Sequence, residues 1–271
     1  MTTVSAGEMP EVASDEVLFS VKDHVARVTL NRPERRNALS YDVMSRLVEA
    51  FDRCDRDAEV WAVVVTGVGD RAFCAGADLK ELDERARAGV PFQAPMTGAH
   101  RNVHETLLEV NKPTIAALNG HALAGGFELA LACDLRIAAD HVTLGLPEAK
   151  RGMGANFGSV MLPRLVPRPI ALEMLYTGEP ITAARALEIG LVNKVVPRAE
   201  LEKVVEDYVS SIVANAPLSL RRYKEMATKG WGLPVPSALR LNVGPNPYLS
   251  EDREEGVRAY VEKRPARWRG R

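Results

Sequence analysis

Two stretches, VWAVVVTG (60–67) and PTIAALNG (113–120), limit what this chain can fold into more than any other feature. Each is a nearly unbroken apolar run that closes on glycine. A strand with one wet face alternates apolar and polar residues, so a run without alternation reads as a strand covered on both faces. Helical patterns lie between and after these runs. LSYDVMSRLVEAFDRC (39–54) places Val43, Leu47, Val48, Phe51 and Cys54 on one helical face, and ADLKELDERARA (77–88) reads as a second helix, with a loop to about residue 96.

VLFSVKDHVARVTL (17–30) reads as a hairpin around a Lys-Asp-His turn. GFELALAC (126–133) reads as a short helix, and LRIAAD (135–140) and VTLGLP (142–147) as further strands. From PRPIALEMLYTG (167–178) onward the pattern is helical, apart from the strand LVNKVV (191–196). Strands alternating with helices, then a helical end, indicate an α/β class. The boundaries expected are a disordered leader over 1–14, a core over 15–200 and a helical C-terminal region over 201–271.

A net charge of -1 gives no basic field for nucleic acid or an anionic membrane. No apolar run approaches the roughly 18 residues of a membrane span. The first residues lack a basic stretch followed by an apolar one, so no secretory signal is read. Cys54, Cys74 and Cys133 are odd in number and without metal spacing, which fits small buried residues in a reduced, cytoplasmic setting.

Three places carry candidate chemistry. Gly125 and Gly126 lead directly into the helix that contains Glu128. A helix start exposes unpaired N–H groups and a partial positive charge, which suits a developing oxyanion. A strand-to-helix turn with an ordinary first-turn acid explains the same residues. In FCAGADLKEL (73–82), small residues again let backbone N–H groups face a ligand, while Asp78 could simply cap the helix. Glu148 follows Glu128 by 20 positions, and two carboxylates at one sheet edge could work as acid and base, or Glu148 could be a solvated loop residue.

Other features point nowhere. GMGANFG (152–158) has the wrong glycine spacing for a dinucleotide loop. His100 and His104 stand four apart on an expected helix without further ligands at metal spacing, and His121 reads as a packing residue. No nucleophile elbow is present.

Taken together, LNRPERRNALS (30–40), FCAGADLKEL, KPTIAALNGHALAGGFELALACDLRIAAD (112–140), LGLPEAKRG (144–152), LYTGEPITAARALEIGLVNKVV (175–196) and EDREEGVRAYVEKRP (251–265) resemble the enoyl-CoA hydratase/isomerase (crotonase) superfamily. The resemblance implies a spiral of ββα units with a helical C-terminal trimerisation region, assembled as a homotrimer or homohexamer. It implies an acyl-CoA thioester substrate and no cofactor beyond that CoA. It makes Ala77 and Gly125 the two N–H donors to the thioester oxygen. Arg35, Arg36, Ala38, Ala75, Asp78 and Leu79 match positions along the CoA path, and Tyr260 and Lys263 match contacts to the nucleotide end from a neighbouring subunit.

The resemblance further implies hydration of a 2-enoyl-CoA to a 3-hydroxyacyl-CoA, of the fatty-acid β-oxidation type. Glu128 would activate water for attack at Cβ and Glu148 would protonate Cα, with syn addition. The alternatives are a Δ3,Δ2-enoyl-CoA isomerase, a carnitinyl-CoA dehydratase-like enzyme, or a crotonase-like binding protein. One segment departs from the family pattern: where G-x-x-P-x-x-G-G is frequent, Ala155 replaces the proline and Ser159 the last glycine, with Asn156 and Phe157 between.

Overall fold

The computed structural model describes residues 16–97, 99 and 101–271, so the expected leader over 1–14 lies outside the described residues. The chain opens with the hairpin β1 (Val17–Lys22) and β2 (Val25–Leu30), paired in register from Val17 with Leu30 to Lys22 with Val25. Asp23 and His24 take φ of 49° and 65°. Two left-handed residues in succession give the turn whose twist matches that of the flanking strands. Helix α1 (Tyr41–Arg56) starts at Ser40, whose hydroxyl accepts from the Val43 N–H, and it buries Val43, Leu47, Ala50, Phe51 and Cys54.

Three repeats of one unit follow. Strand β3 (Ala62–Gly67) leads to the short β4 (Ala72–Cys74) and then helix α2 (Leu79–Arg87). After α3 (Val103–Glu109), β5 (Thr114–Leu118) leads to β6 (His121–Leu123) and helix α4 (Gly125–Ala132). Next, β7 (Leu135–Ala139) leads to β8 (Thr143–Gly145) and the 3-10 turn Pro147–Arg151. Helices α5 (Gly158–Leu165) and α6 (Arg168–Thr177), strand β9 (Ile181–Thr182), helix α7 (Ala183–Glu188) and strand β10 (Lys194–Val196) complete the core.

The long strands form one sheet in the order β1-β2-β3-β5-β7-β10, parallel from β2 onward. The short strands form a second sheet, β4-β6-β8-β9, in which β4, β6 and β8 run parallel. Each unit therefore crosses from the first sheet to the second before its helix or turn. Asn119 holds one crossing: its side chain accepts from Gly67 N–H at 3.0 Å and donates to the Gly69 carbonyl at 2.9 Å.

Helix α4 is buried from Gly126 to Ala132, which explains its lack of a polar face. Its C-terminal carbonyls are met by a buried cation, since Arg136 donates to Ala130 and Cys133. From Leu201 the described elements are helical: α8 (Leu201–Val213), α9 (Pro217–Gly230), α10 (Val235–Ala238), a 3-10 turn and α11 (Glu251–Glu262). None of the described helices is long and apolar enough to cross a membrane. The three cysteines are free and buried, and burial pushes each thiol up to about 12.

Candidate active site

The loops that leave β4, β6 and β8 lie at one end of the small parallel sheet, and they carry Ala77, Gly125 and Glu148 in turn. Carboxyl ends of parallel strands gather ligand-facing loops because the helices there turn back along the sheet.

In the first loop, Ala77 pairs with Leu39 as a single parallel bridge. Leu39 N–H donates to the Gly76 carbonyl at 2.8 Å, and Asp78 N–H donates to the Leu39 carbonyl at 2.9 Å. Peptide groups alternate sides along an extended chain, so the Ala77 N–H points away from Leu39. Gly76 has φ +87°, and a Cβ there would come within 2.7 Å of Ala124 Cβ and 3.1 Å of Gly125 N. The absence of that atom lets the first loop touch the second.

Asp78 starts α2, accepting from the N–H groups of Lys80 and Glu81, and it pairs with buried Arg32 at 3.2 Å. Burial works against its charge, but the Glu81 N–H and Arg32 outweigh it and hold its carboxyl below the usual range. The Asp78 carboxylate, at 6% exposure, is thus turned inward and anchors the Ala77 loop to Arg32. Leu79 beside it is exposed.

The second loop turns at Ala124, with φ 51° and ψ -135°, a conformation L-residues rarely hold. The strain therefore sits before the glycine pair. Gly126 is required for a different reason, since a Cβ there would lie 2.1 Å from the Cys74 carbonyl oxygen. Gly125 opens α4, and its N–H precedes the helix's own hydrogen bonds.

Glu128 lies one turn further and is 7% exposed. Its Oε1 accepts from the Gly158 N–H at 2.7 Å, at the start of α5, where the helix dipole also favours a negative charge. Burial raises its pKa, and the Gly158 and Phe157 N–H groups work against that rise. Glu148, in the third loop, is 6% exposed, and its Oε2 is buried without a hydrogen-bond partner among the described residues. Burial first, and the Glu128 charge in addition, push its carboxyl up to about 7, against its own N–H and Arg151. Both carboxyls rise. An unpartnered buried oxygen is costly when ionised, so Glu148 is the carboxyl that burial favours in its protonated form, while the Gly158 and Phe157 N–H groups moderate the rise at Glu128.

The departing loop supplies part of this arrangement. Ala155 and Phe157 are buried at 8% and 5%, and Gly158 is the Glu128 donor. Asn156 turns outward and donates to the Pro95 carbonyl at 3.2 Å.

Beside the first two loops lies a cleft of about 610 Å³ that includes Arg36, Arg71, Ala75, His121, His141 and Arg198 in its lining. Arg36 and Ala75 are thus brought together. Arg35 lies exposed next to Arg36, and Ala38 is buried, its carbonyl taken by Arg32 at 2.8 Å. Tyr260, at 87% exposure, and Lys263 lie on the outer face of the C-terminal helices. His121 is not simply a packing residue: it faces the cleft, and its Nδ1 accepts from the Thr143 N–H at 3.1 Å. Arg71, Arg198 and His104 carried no motif, and only the fold brings them here. His100 lies outside the described residues, and no cluster of three or more metal-ligating side chains occurs among the described ones.

Known proteins share this arrangement of the chain. (E)-benzylidenesuccinyl-CoA hydratase of Thauera aromatica is 38% identical over 94% of this chain and 99% of its own length. Carnitinyl-CoA dehydratase of Proteus mirabilis is 36% identical over 95% of this chain and 100% of its own. The crystal structure of enoyl-CoA hydratase from Mycobacterium tuberculosis superposes with a TM-score of 0.84, at 35% identity, over 95% of this chain and 100% of that one. The crotonase-like ββα spiral is therefore the fold of this chain. The family model described as enoyl-CoA hydratase/isomerase matches residues 20–271, and the chain belongs to that family.

Proposed function

We infer that the protein is an enoyl-CoA hydratase that adds water reversibly to a 2-enoyl-CoA and gives a 3-hydroxyacyl-CoA. The observation that carries this reading is the unequal pair of buried carboxyls, one accepting from the Gly158 N–H and one without a donor on its Oε2 and raised to about 7. Hydration needs a base for water and an acid for carbon at the same moment, and this pair offers both near neutral pH.

In the mechanism, the N–H groups of Ala77 and Gly125 bind the thioester oxygen and stabilise the enolate-like charge that develops there. Glu128 takes a proton from water as the oxygen bonds to Cβ. Glu148 gives its proton to Cα, and both groups act from one face, so addition is syn. The reverse dehydration uses the same groups with their protons exchanged. No cofactor is needed beyond the CoA of the substrate.

The cleft at Arg36 and Ala75 suits the nucleotide end of CoA. Arg36, Arg71 and Arg198 offer forked donors to phosphate oxygens. Arg35, Ala38 and Leu79 belong to the same path in this reading, and Asp78 serves it by anchoring Ala77. On the C-terminal region, Trp231, Val235, Leu239, Tyr248, Leu249 and Tyr260 are all more than half exposed, and apolar area of that kind marks an interface. A homotrimer, or a homohexamer of two trimers, covers it and brings Tyr260 and Lys263 to a neighbour's substrate. Three reduced cysteines agree with a cytoplasmic setting. We take 15–200 as the catalytic core and 201–271 as the assembly region.

Dehydration of a polar acyl group is a second reading, favoured by the Proteus relative. Crotonyl-CoA and longer 2-enoyl-CoAs, followed by loss of the conjugated absorbance, test the main one. Wild type hydrates them, and Glu128→Gln and Glu148→Gln each lose about 10²- to 10⁴-fold in kcat. Inactive wild type, or unaffected variants, overturns the assignment. Isomerisation of a 3-enoyl-CoA that survives Glu128→Gln assigns the chain to the isomerases instead.

A further inference from the structure

His104 is the second residue of α3, a helix whose start is held by a capping box. Asn102 Oδ1 accepts from the His104 and Glu105 N–H groups, and Glu105 accepts from the Asn102 N–H in return. The imidazole that follows from this placement is 8% exposed. Its Nε2 lies 2.9 Å from the Gly125 carbonyl oxygen and 3.9 Å from Glu128 Oε2. Its ring stacks on Phe157 with centroids 5.5 Å apart and planes at 29°. Phe157 directly precedes Gly158, whose N–H holds the other oxygen of Glu128. One side chain thus meets the carbonyl of Gly125, the base and the departing loop.

A carbonyl oxygen only accepts, so the His104 proton is on Nε2 and Nδ1 is bare. Burial brings the imidazole down to about 4, against the Gly125 carbonyl and Glu105, so the ring is neutral. The helix start it touches has need of an outside hold. Ala124 is strained and gives α4 no side-chain cap; its N–H donates to the Gly145 carbonyl at 2.9 Å and its carbonyl accepts from the Phe127 and Glu128 N–H groups, while the Gly125 carbonyl is met by His104.

We propose that His104 is a positioning residue for the reaction: its Nε2–H holds the Gly125 carbonyl, and with it the start of α4 whose Gly125 N–H faces the thioester oxygen, and its ring, backed by Phe157, packs beside the Oε2 edge of Glu128. This role rests on the hydratase reading and adds a residue to it. It also gives the departure at Asn156-Phe157 a purpose, because the aromatic ring there is the support behind His104. A small residue at 157 would leave the imidazole without that contact.

The test uses His104→Met, which fills the space without a donor, and His104→Gln, whose amide N–H spans a similar distance. A bound 4-dimethylaminocinnamoyl-CoA reports on the clamp directly, since its absorption moves to longer wavelength as the thioester oxygen is polarised. We expect His104→Met to lower kcat about 10- to 100-fold with KM changed less than about 3-fold, and to lose most of that spectral shift. His104→Gln restores most of both. Wild-type kcat and shift in His104→Met, equal damage in His104→Gln, or a change in KM alone overturns the role.

Imidazole ¹⁵N resonances of the unsubstituted enzyme supply a second test that needs no variant to fold. One histidine must remain an Nε2–H tautomer without titrating between about pH 5.5 and pH 8. If every histidine titrates there, or the buried one is Nδ1–H, the proposal fails. Inactive wild type with an intact spectral shift would count against hydration and leave the clamp standing.

Discussion

The Gly158 N–H and Glu128 Oε1 lie 2.7 Å apart, which ties the first turn of α4 to the first residue of α5. Glu148 has no corresponding donor on its Oε2 among the described residues. That asymmetry favours Glu148 as the carboxyl that carries a proton. It predicts that kcat/KM for hydration falls as pH rises through about 7, where Glu148 loses its proton. A pH profile of wild type checks this, and the residual activity of Glu148→Gln should lack that limb. A wild-type profile flat from about pH 6 to pH 9 contradicts the assignment of the acid.

The same group makes stability depend on pH. Glu148 is raised from 4.5 to about 7, so the folded chain holds a proton that the unfolded chain has released. Stability is therefore intact below about pH 4.5 as far as this group is concerned, and declines as pH rises through about 7. The penalty at high pH is on the order of 3 kcal/mol, from about 1.4 kcal/mol per pKa unit. Glu148→Gln removes it. Urea denaturation at several pH values should show the variant gaining on wild type between about pH 5 and pH 8, and parallel curves would contradict the raised pKa.

The two glycines of the second loop should respond unequally. Gly126→Ala places a methyl 2.1 Å from the Cys74 carbonyl oxygen, which neither backbone can avoid. A loss of about 3 kcal/mol or more is expected, read as a lower Tm. A Cβ on Gly125 meets nothing closer than Leu39 Cδ1 at 3.6 Å, so Gly125→Ala should keep its Tm within about 3 °C. Equal losses in the two variants would show that the approach of α4 to β4 is not what Gly126 provides.

For the cleft, Arg71→Ala should raise KM for an acyl-CoA about 3- to 10-fold with little change in kcat, because it removes a contact made equally in ground and transition states. The difference between wild type and variant should shrink as salt rises, since the guanidinium is exposed. A fall in kcat at constant KM would place Arg71 nearer the chemistry than the cleft does.

The long strands were legible because four or more apolar residues in succession leave a clear pattern, and the hairpin because Lys-Asp-His interrupts two β-branched runs. Strands β4 and β6, of three residues each, were not. Neither sits in a longer strand-like run of the kind that marked β8, and β4 finds its partner β6 about 50 positions away. That second sheet is nonetheless what aligns the three site loops. Glu128 and Glu148 stood out as carboxylates in small or apolar surroundings. The Gly158 donor did not, because a backbone N–H has no signature in sequence. Nor did His104, 24 residues before Glu128, whose contact with Gly125 comes from the packing of α3 on α4.

The account stands most directly on where the two new atoms are added. Crotonyl-CoA hydrated in D₂O should yield 3-hydroxybutyryl-CoA with one deuterium at C2, on the same face as the new hydroxyl, as proton NMR of the product can read. Addition from opposite faces, or deuterium distributed over both C2 positions of the product, would contradict a concerted pair in which Glu128 activates water and Glu148 protonates carbon.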